Sequence, residues 1–370
     1  MRIDQKIRES FLSLLRIGLW GSVSESLSIF PLNKNEWTLV YKISISQTVE
    51  GIVYDGIVLL PKEYLPPYDI LIRWTARIDA IERHNRNVRK TLSILSEGLK
   101  KNNISHILLK GIGLAENYNK PLSRVSGDID LCFFSVSEFN QANELLKSKG
   151  FDVLKGDHFS SYYMLNSVMV EHHTKMIDIF NPLKQKLIKS FIAEERLKSN
   201  KIKIDNSEIE TPSYILAHLQ ANAHILKHYL GFGIGLRQLC DVARLCYVKE
   251  NNFDGNKLKE IYRKLGIAGW INATHNLLVN YLGLDASKLP YPIEKHFDSE
   301  PILYDVLYSG NFGFHQIKFD ENTVSIPEKS YDRDNVGVRV LPHLLKLVKL
   351  APGEVIWYPL NKLYTKLTGK

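Results

Sequence analysis

The run Gly127-Asp128-Ile129-Asp130-Leu131 constrains the fold more than any other stretch of this 370-residue chain. Its acidic and apolar residues alternate, as they do in a short β-strand with two unlike faces. Successive strand side chains point to opposite faces, so the carboxylates of Asp128 and Asp130 share one face. Two neighbouring carboxylates repel each other, and a cation between them relieves the repulsion. The run therefore predicts a strand that carries a cation site on one face.

The type of ligand narrows the choice of cation. Carboxylate oxygens suit Mg²⁺ or Mn²⁺ better than zinc, and Mg²⁺ is commonly held by one or two carboxylates plus the phosphates of a substrate. The three cysteines, Cys132, Cys240 and Cys246, follow no zinc-binding spacing and lie among apolar residues. We therefore expect Mg²⁺ or Mn²⁺ beside a phosphate-bearing substrate, and reduced, buried thiols.

The residues before this strand fit phosphate binding. Lys110 and Gly111 follow an apolar run of strand length at 104–110 and precede a short predicted helix. Glycine lets a phosphate approach the backbone closely, and a helix N-terminus favours anions. Lys110 adds a positive charge, and Arg124 can contact a phosphate through two parallel hydrogen bonds. A salt bridge from Arg124 to one of the two aspartates is the alternative.

The pattern of elements predicts an α/β (α+β) fold. Strands at 104–110 and 129–134, a helix capped by Ser137 and further strands alternate in the middle of the chain. A long helix from Asp69 to Lys101 precedes them, and a helix capped by Thr211 follows. We predict a small mixed sheet flanked by helices. The expected regions are a helical N-terminal region at 1–103, a catalytic core at 104–181, a helical region closing the cleft at 182–281, and an irregular segment with a basic amphipathic tail at 282–370.

Charge and hydropathy limit the classes of partner. Lysine and arginine total 48 against 40 aspartates and glutamates, a net charge of +8. This modest, dispersed charge leaves nucleic acid possible but slightly disfavours it, since nucleic-acid binding usually needs a concentrated basic stripe. No uncharged apolar run reaches 18 residues, and the N-terminus has no cleavage site, so we expect a cytoplasmic protein without a membrane span. The C-terminal tail is interpreted as a packed helix, with peripheral membrane attachment or partner docking as the alternative.

A family resemblance follows from these motifs. Leu-Lys-Gly at 109–111, Arg124 and Asp-Ile-Asp at 128–130 resemble the DNA polymerase β-type nucleotidyltransferase superfamily. More narrowly, the chain is similar to a bacterial family of uncharacterised nucleotidyltransferases, in which Glu-x-His follows, as Glu171 and His173 do here. The wider superfamily has Gly-Ser or Gly-Gly where this chain has Lys-Gly, and the narrower family has Lys-Gly. In outline the resemblance covers residues 30–280.

The resemblance implies roles for these residues. Three carboxylates are expected to bind the catalytic metal: Asp128, Asp130 and Glu171. Glu171 is also expected to activate the acceptor hydroxyl as general base, with Asp178 as the alternative third carboxylate. Four residues are expected to bind the nucleotide: Lys110, Gly111, Arg124 and Gly127.

A later helical segment of the narrower family, with the pattern Pro, His, His, Arg, Asp, matches Pro212, His218, His224, Arg237 and Asp241. The candidate substrate contacts are His173, His224, Arg237 and Asp241. The alternatives are that Arg237 pairs with Asp241 four residues on, and that His224 only packs between helices. His172 and His173 should face opposite sides of a strand, with His173 near the site.

The implied reaction moves a nucleoside monophosphate from an NTP, such as ATP, to an acceptor hydroxyl and releases pyrophosphate. A small-molecule acceptor is favoured over a protein or an RNA. The alternative is a catalytically idle nucleotide-binding or scaffold protein that retains the fold. Because Asp128, Asp130 and Glu171 are all present, the enzyme is the favoured interpretation.

Overall fold

The computed structural model describes residues 3–23, 26–156, 160–231, 233–248, 253–310, 318–320, 323–325 and 344–368. The N-terminal helices are α1 (Gln5–Trp20), α2 (Lys34–Ser46), α3 (Glu50–Ile57) and α4 (Tyr68–Lys101). The middle of the chain contains β1 (Ile107–Leu108), α5 (Ile112–Ala115), β2 (Ile129–Cys132), α6 (Val136–Ser148), β3 (Leu154–Lys155), β4 (Ser160–Leu165) and β5 (Val168–His173).

The rest of the chain is mainly helical. Its elements are α7 (Gln185–Glu195), β6 (Asn200–Ile204), β7 (Ser207–Thr211), α8 (Tyr214–Gly231), α9 (Leu236–Tyr247), α10 (Gly255–Leu265), α11 (Ala268–Asn280), α12 (Glu300–Ser309), β8 (Lys318–Asp320), β9 (Thr323–Ser325) and α13 (Pro352–Thr368).

Five strands form a mixed sheet in the order β1-β2-β5-β4-β3. The β2 and β5 strands run parallel, and the other neighbours run antiparallel. The described β6 and β7 strands pair in a separate two-stranded sheet, and helices lie at both ends of the chain. This mixed α+β architecture confirms the fold class predicted from the sequence.

The alternation of β2 separates a core face from a polar face. Ile129 and Leu131 are fully buried and pack in one apolar cluster with residues of α4 and α6, such as Val88 and Ala142. Asp130, between the two apolar residues, therefore points to the opposite side of the sheet. The core fixes the strand in one register, because a slip by one residue would bury the carboxylate in the apolar cluster.

A second apolar core joins the N-terminal helices to the later ones. It contains the fully buried indoles of Trp37, Trp74 and Trp270, from α2, α4 and α11. Helices α1 and α3 lie especially close, because Gly18 and Gly56 leave room for the opposite backbone. The helices before and after the sheet thus stabilise each other.

The structure corrects several local predictions. Ser135, rather than Ser137, caps α6: its side chain accepts a hydrogen bond from Glu138 N, and the Glu138 carboxylate accepts one from Ser135 N. Thr211 ends β7 instead of capping a helix, and Ser213 Oγ accepts a hydrogen bond from Leu216 N in the first turn of α8. The β6–β7 hairpin was not predicted, and α12 lies in the segment predicted to be irregular.

The tail helix α13 packs on the loop after β5. The Glu354 carboxylate accepts hydrogen bonds from the backbone N–H groups of Phe180 and Asn181, and Asn361 Nδ2 donates to the Phe180 carbonyl. These contacts support the packed-helix interpretation of the tail. No helix in the described ranges combines the length and the apolar character needed to cross a membrane.

Replacing Gly56 with Ala should destabilise the protein, because the new Cβ would lie 2.1 Å from the Leu14 carbonyl oxygen, a backbone atom of α1. We expect the free energy of unfolding to fall by about 1–3 kcal/mol or more. The matched control is Gly98→Ala in α4, where a Cβ meets nothing within 4 Å. That change should raise the free energy by about 0.5–1 kcal/mol. Urea unfolding measures both, and equal effects would contradict the close contact of α1 with α3.

Candidate active site

Strands β2 and β5 bring Asp130, Glu171 and His173 together on one face of the sheet. Asp130 lies opposite Glu171 in the parallel pairing, and His173 is two residues further along the same strand. His173 Nε2 lies 2.9 Å from Asp130 Oδ1 and 3.4 Å from Glu171 Oε2. One ligand atom from each residue lies within 4.8 Å of the other two. We call these three side chains the Asp-Glu-His cluster.

Opposite charges hold this cluster together. Burial raises the pKa of Asp130, whose side chain is 0% exposed, but the charges of Lys110 and His173 outweigh burial and lower it. Burial lowers the pKa of His173, yet its hydrogen bonds to Asp130 and Glu171 raise it to about 9. At neutral pH these side chains by themselves therefore form a carboxylate–imidazolium pair, with Lys110 Nζ 3.3 Å from Asp130 Oδ1.

Asp128 flanks the cluster. It immediately precedes β2 and lines the same cavity as Asp130. Burial and the charge of Asp130 both raise the pKa of Asp128. In the described part of the chain, the residues whose ligand atoms lie within 4.8 Å of one another are Asp130, Glu171 and His173, and Asp128 is not one of them. Asp128 therefore stands beside the Asp-Glu-His cluster rather than in it.

One oxygen of the cluster lacks a hydrogen-bond partner. Asp130 Oδ1 is bonded to His173 and lies near Lys110, whereas Asp130 Oδ2 is buried and has none. A buried carboxylate oxygen without a partner costs about 1–3 kcal/mol or more in desolvation. Such groups are rare and call for an explanation, of which a bound ion is one.

A cavity of about 330 Å³ opens over the cluster. The sheet and the loop at 109–111 form one wall, and helices α8 and α9 form the other. Gly111 has φ +67°, a left-handed conformation that favours glycine, and a Cβ there would lie 3.4 Å from the Asp128 carbonyl oxygen. Gly111 thus turns the chain tightly between Lys110 and α5.

The cavity brings together the residues that the sequence predicts for the site, although they are spread over more than 130 positions. The predicted residues that line it are Lys110, Gly111, Arg124, Gly127, Asp128, Asp130, Glu171, His173, His224, Arg237 and Asp241. Asp178, the alternative third carboxylate, also lines the cavity, but its Oδ2 is paired with Lys227 Nζ at 2.6 Å. Glu171, and not Asp178, lies in the cluster.

Arg124 is placed differently from the prediction that it contacts phosphate. Its Nε and Nη2 donate to the two carboxylate oxygens of Asp241 at 2.8 and 2.6 Å, and the pair is buried. Tyr118 Oη donates a third hydrogen bond to the same carboxylate. The salt bridge that was the alternative for Arg124 does form, but with Asp241 rather than with Asp128 or Asp130.

Arg124 and Arg237 together fix the loop that leads into β2. Arg124 Nη1 and Arg237 Nη1 both donate to the Val125 carbonyl, at 3.0 and 2.8 Å. From the other side, Asn85 Nδ2 of α4 donates to the carbonyls of Leu122 and Arg124. Helices α4 and α9 thereby set the position from which Asp128 enters the cavity.

Arg237, in the cavity wall, has a hydrogen-bond donor without a partner. Its Nε is buried and has no hydrogen-bond partner. Asp241, four residues on, is paired with Arg124 instead of Arg237. Burial and the nearby charge of Arg124 both lower the pKa of Arg237. A guanidinium that lines a cavity and has an unbonded, desolvated N–H suits an anionic ligand.

Helix α8 supplies lining residues that the sequence analysis missed. Gln220 and His228 lie one turn before and one turn after His224, and all three face the cavity together with Lys227. Burial holds the pKa of His224 well below its usual value and that of His228 at about 3, so both rings are neutral. The signal that could have found them is their spacing of four residues on either side of His224, which puts all three on one face of the helix.

The other two histidines of the motifs are structural. His172 faces the core side of β5, where its Nδ1 bonds to Asn143 Oδ1 and its Nε2 to Tyr163 Oη. His218 is fully buried against the rings of Tyr214 and Phe253 and does not line the cavity.

A protein family described as uncharacterised nucleotidyltransferase matches residues 33–280, more than half of the chain. The chain belongs to this family. The match confirms the narrower resemblance proposed from the motifs. Among solved structures, the chain is similar to an antigenic nucleotidyltransferase-like protein from Paracoccidioides brasiliensis, at 17% identity and a TM-score of 0.36, over 54% of this chain and 93% of that chain. Comparison with curated proteins finds no match.

Nucleotidyltransferases work with a divalent metal, and the donor set of this family member fits one. Asp130 Oδ2 is an unbonded buried oxygen, and Glu171 is partly accessible, with 33% of its side chain exposed. Asp128 provides a third carboxylate beside them. The residues that would hold the ion are therefore Asp130 and Glu171, with Asp128 and His173 adjacent.

Replacing Asp241 with Asn should destabilise this nucleotidyltransferase, because the buried Arg124 charge would lose its partner. We expect the free energy of unfolding to fall by about 3–5 kcal/mol in urea. The matched control, Glu208→Gln, breaks an exposed pair with Lys201 and should change the free energy little. The double variant R124M/D241L removes both charges and should be more stable than D241N. Equal stability of D241N and E208Q would show that the pair contributes nothing.

Proposed function

We propose that the cavity binds an NTP with a divalent metal and transfers the nucleoside monophosphate to an acceptor hydroxyl, with release of pyrophosphate. The observation that carries this proposal is a cavity lined by Asp130, whose buried carboxylate has one unbonded oxygen, and by Arg237, whose buried Nε has no hydrogen-bond partner. Carboxylates for a cation and a guanidinium for an anion are the two needs of a metal-bound triphosphate. The order of the Leu-Lys-Gly, Asp-Ile-Asp and Glu-x-His motifs supports assignment to the polymerase β-type superfamily.

Each role in this reaction is assigned to particular residues of the cavity. Asp130 and Glu171, with Asp128, would hold the divalent ion, which supplies charge neutralisation and polarises the phosphoryl oxygens. Lys110 and Arg237 bind the phosphates from two sides of the cavity. Catalysis then consists mainly of positioning and of neutralising charge that develops on the transferred group.

Glu171 is the residue best placed to take the acceptor proton. Its side chain is one-third exposed at the cavity, whereas Asp130 is fully buried and engaged by His173. A general base must reach the hydroxyl that it deprotonates, and this accessibility favours Glu171.

The α8 wall suits the uncharged part of a nucleotide or the acceptor. Gln220 and the neutral His224 and His228 offer hydrogen bonds without net charge, and Ala221 and Ile225 add apolar surface between them. A volume of about 330 Å³ is at the lower end of small-molecule sites. We therefore propose a small-molecule acceptor rather than a protein or an RNA.

The transfer is tested by incubating the protein with each labelled NTP, Mg²⁺ or Mn²⁺, and a cell extract separated into metabolites, RNA and protein. Asp130→Asn should reduce label transfer by about 100-fold or more, since it removes a charge that binds the metal. Glu208→Gln, an exposed carboxylate outside the cavity, is the control and should transfer label normally. If the wild-type protein binds an NTP but labels no fraction, the idle nucleotide-binding alternative replaces the proposed enzyme.

Arg237→Gln tests phosphate binding separately from the metal. A charge-assisted hydrogen bond contributes about 1.5–3 kcal/mol, so we expect the Kd for the NTP to rise about 10–100-fold in calorimetry. Arg263→Gln removes a guanidinium that pairs with Glu294 outside the cavity and should leave the Kd unchanged. Because Arg237 also bonds Val125, thermal unfolding must confirm that the variant is folded. An unchanged Kd in a folded variant would remove Arg237 from the phosphate site.

A further inference from the structure

We propose that His173 is a direct ligand of the divalent ion and that its nitrogen makes the site select Mn²⁺ over Mg²⁺. This inference deepens the proposed function, because it concerns the ion that the same cavity would hold. Motif reasoning assumed a metal site made of carboxylate oxygens alone. The structure adds an imidazole nitrogen to that donor set.

The geometry of the Asp-Glu-His cluster is compatible with a single ion. Two ligands at right angles, each about 2.1 Å from an ion, lie about 3 Å apart. His173 Nε2 lies 2.9 Å from Asp130 Oδ1 and 3.4 Å from Glu171 Oε2, close to that separation. Small side-chain adjustments would therefore let all three coordinate one ion, which would take the place of the proton that Nε2 shares with the carboxylates.

The backbone prepares this arrangement. Glu171 and His173 are two residues apart on β5, so both face the cavity, and Asp130 is held opposite Glu171 by the strand pairing. Asp130 Oδ2 remains unbonded and buried beside them. Sites built on paired strands are more precise than sites on loops, because the ladder fixes the spacing of the side chains.

The chemistry of the donors gives the selectivity. Mg²⁺ is a hard cation that prefers oxygen and keeps several of its waters. Imidazole suits first-row transition metals such as zinc and iron. Mn²⁺ accepts carboxylate oxygens as readily as Mg²⁺ does, and as a transition metal it also accepts an imidazole nitrogen. Asp130 and Glu171 therefore serve both ions, and His173 is the donor that discriminates between them.

A competing role for His173 leads to the opposite prediction. If His173 only neutralises Asp130 as a counter-charge, then removing it would strengthen the binding of both ions, because a positive charge would leave the site. If it is a ligand, then removing it weakens Mn²⁺ binding and affects Mg²⁺ much less. The sign of the change in Mn²⁺ affinity separates the two roles.

The experiment measures ion binding to the full chain without nucleotide. Mn²⁺ affinity is obtained by electron paramagnetic resonance and Mg²⁺ affinity by competition against Mn²⁺, for the wild-type protein, His173→Gln and His84→Gln. His84 is an exposed histidine of α4 and serves as the matched control. We expect wild-type and H84Q proteins to bind Mn²⁺ at least about 10-fold more tightly than Mg²⁺. H173Q should lose about 10–100-fold in Mn²⁺ affinity.

A direct spectroscopic readout needs no variant. Electron spin echo modulation of the wild-type protein with Mn²⁺ should show coupling to a ¹⁴N nucleus, which H84Q keeps and H173Q loses. Absence of that coupling in the wild-type protein, or tighter binding of both ions by H173Q, would overturn the proposal. Either result leaves label transfer by the wild-type protein, and its loss in D130N, untouched, so the proposed function can stand when this inference fails.

Discussion

The parallel pairing of β2 with β5 is the constraint on which the rest of the site depends. It sets Asp130 opposite Glu171, and His173 lies two residues after Glu171 on β5, on the same face of the sheet. The apolar faces of both strands lock this register, because Ile129, Leu131 and Val170 pack in the core beneath. A slip of one residue would exchange Glu171 with a core valine and would destroy the core and the site together. Packing of the apolar face of the sheet therefore keeps the Asp-Glu-His cluster in position on the opposite face.

Burying the carboxylates of the site costs electrostatic free energy, and the neighbouring cations offset only part of it. Lys110 and His173 neutralise Asp130, but burial and repulsion raise the pKa of Asp128, and Asp130 Oδ2 has no hydrogen bond. A protein selected for stability alone has no reason to bury such a group. Local departures from the usual rules are expected where a ligand completes the arrangement.

Residues that share a strand were predictable from the sequence, and residues that meet through helix packing were not. The strand period of two puts Glu171 with His173 without any knowledge of the fold, whereas Asp128 precedes β2 and only flanks the Asp-Glu-His cluster. The Arg124–Asp241 pair joins positions 117 residues apart, and it depends on how α9 packs against the loop before β2. A strand pattern does mark the β6–β7 hairpin, since Ile202, Ile204 and Ile209 alternate with charged residues around a turn. The sequence analysis missed it because the segments on both sides are helical.

The pairing of Arg124 with Asp241 also explains why Arg237 is available to a substrate. Sequence spacing suggested that Asp241 neutralises Arg237 on the same helix, a pair worth only about 0.3–0.5 kcal/mol. Asp241 instead gives both oxygens to Arg124, and Arg237 forms no ion pair with an acid within the described ranges, although Asp241 and Asp128 lie near enough to attract its charge. Arg237 lines the cavity, and its buried Nε has no hydrogen-bond partner. A protein interior tolerates such a charge when an anion is bound beside it, and the phosphates of a nucleotide supply that anion.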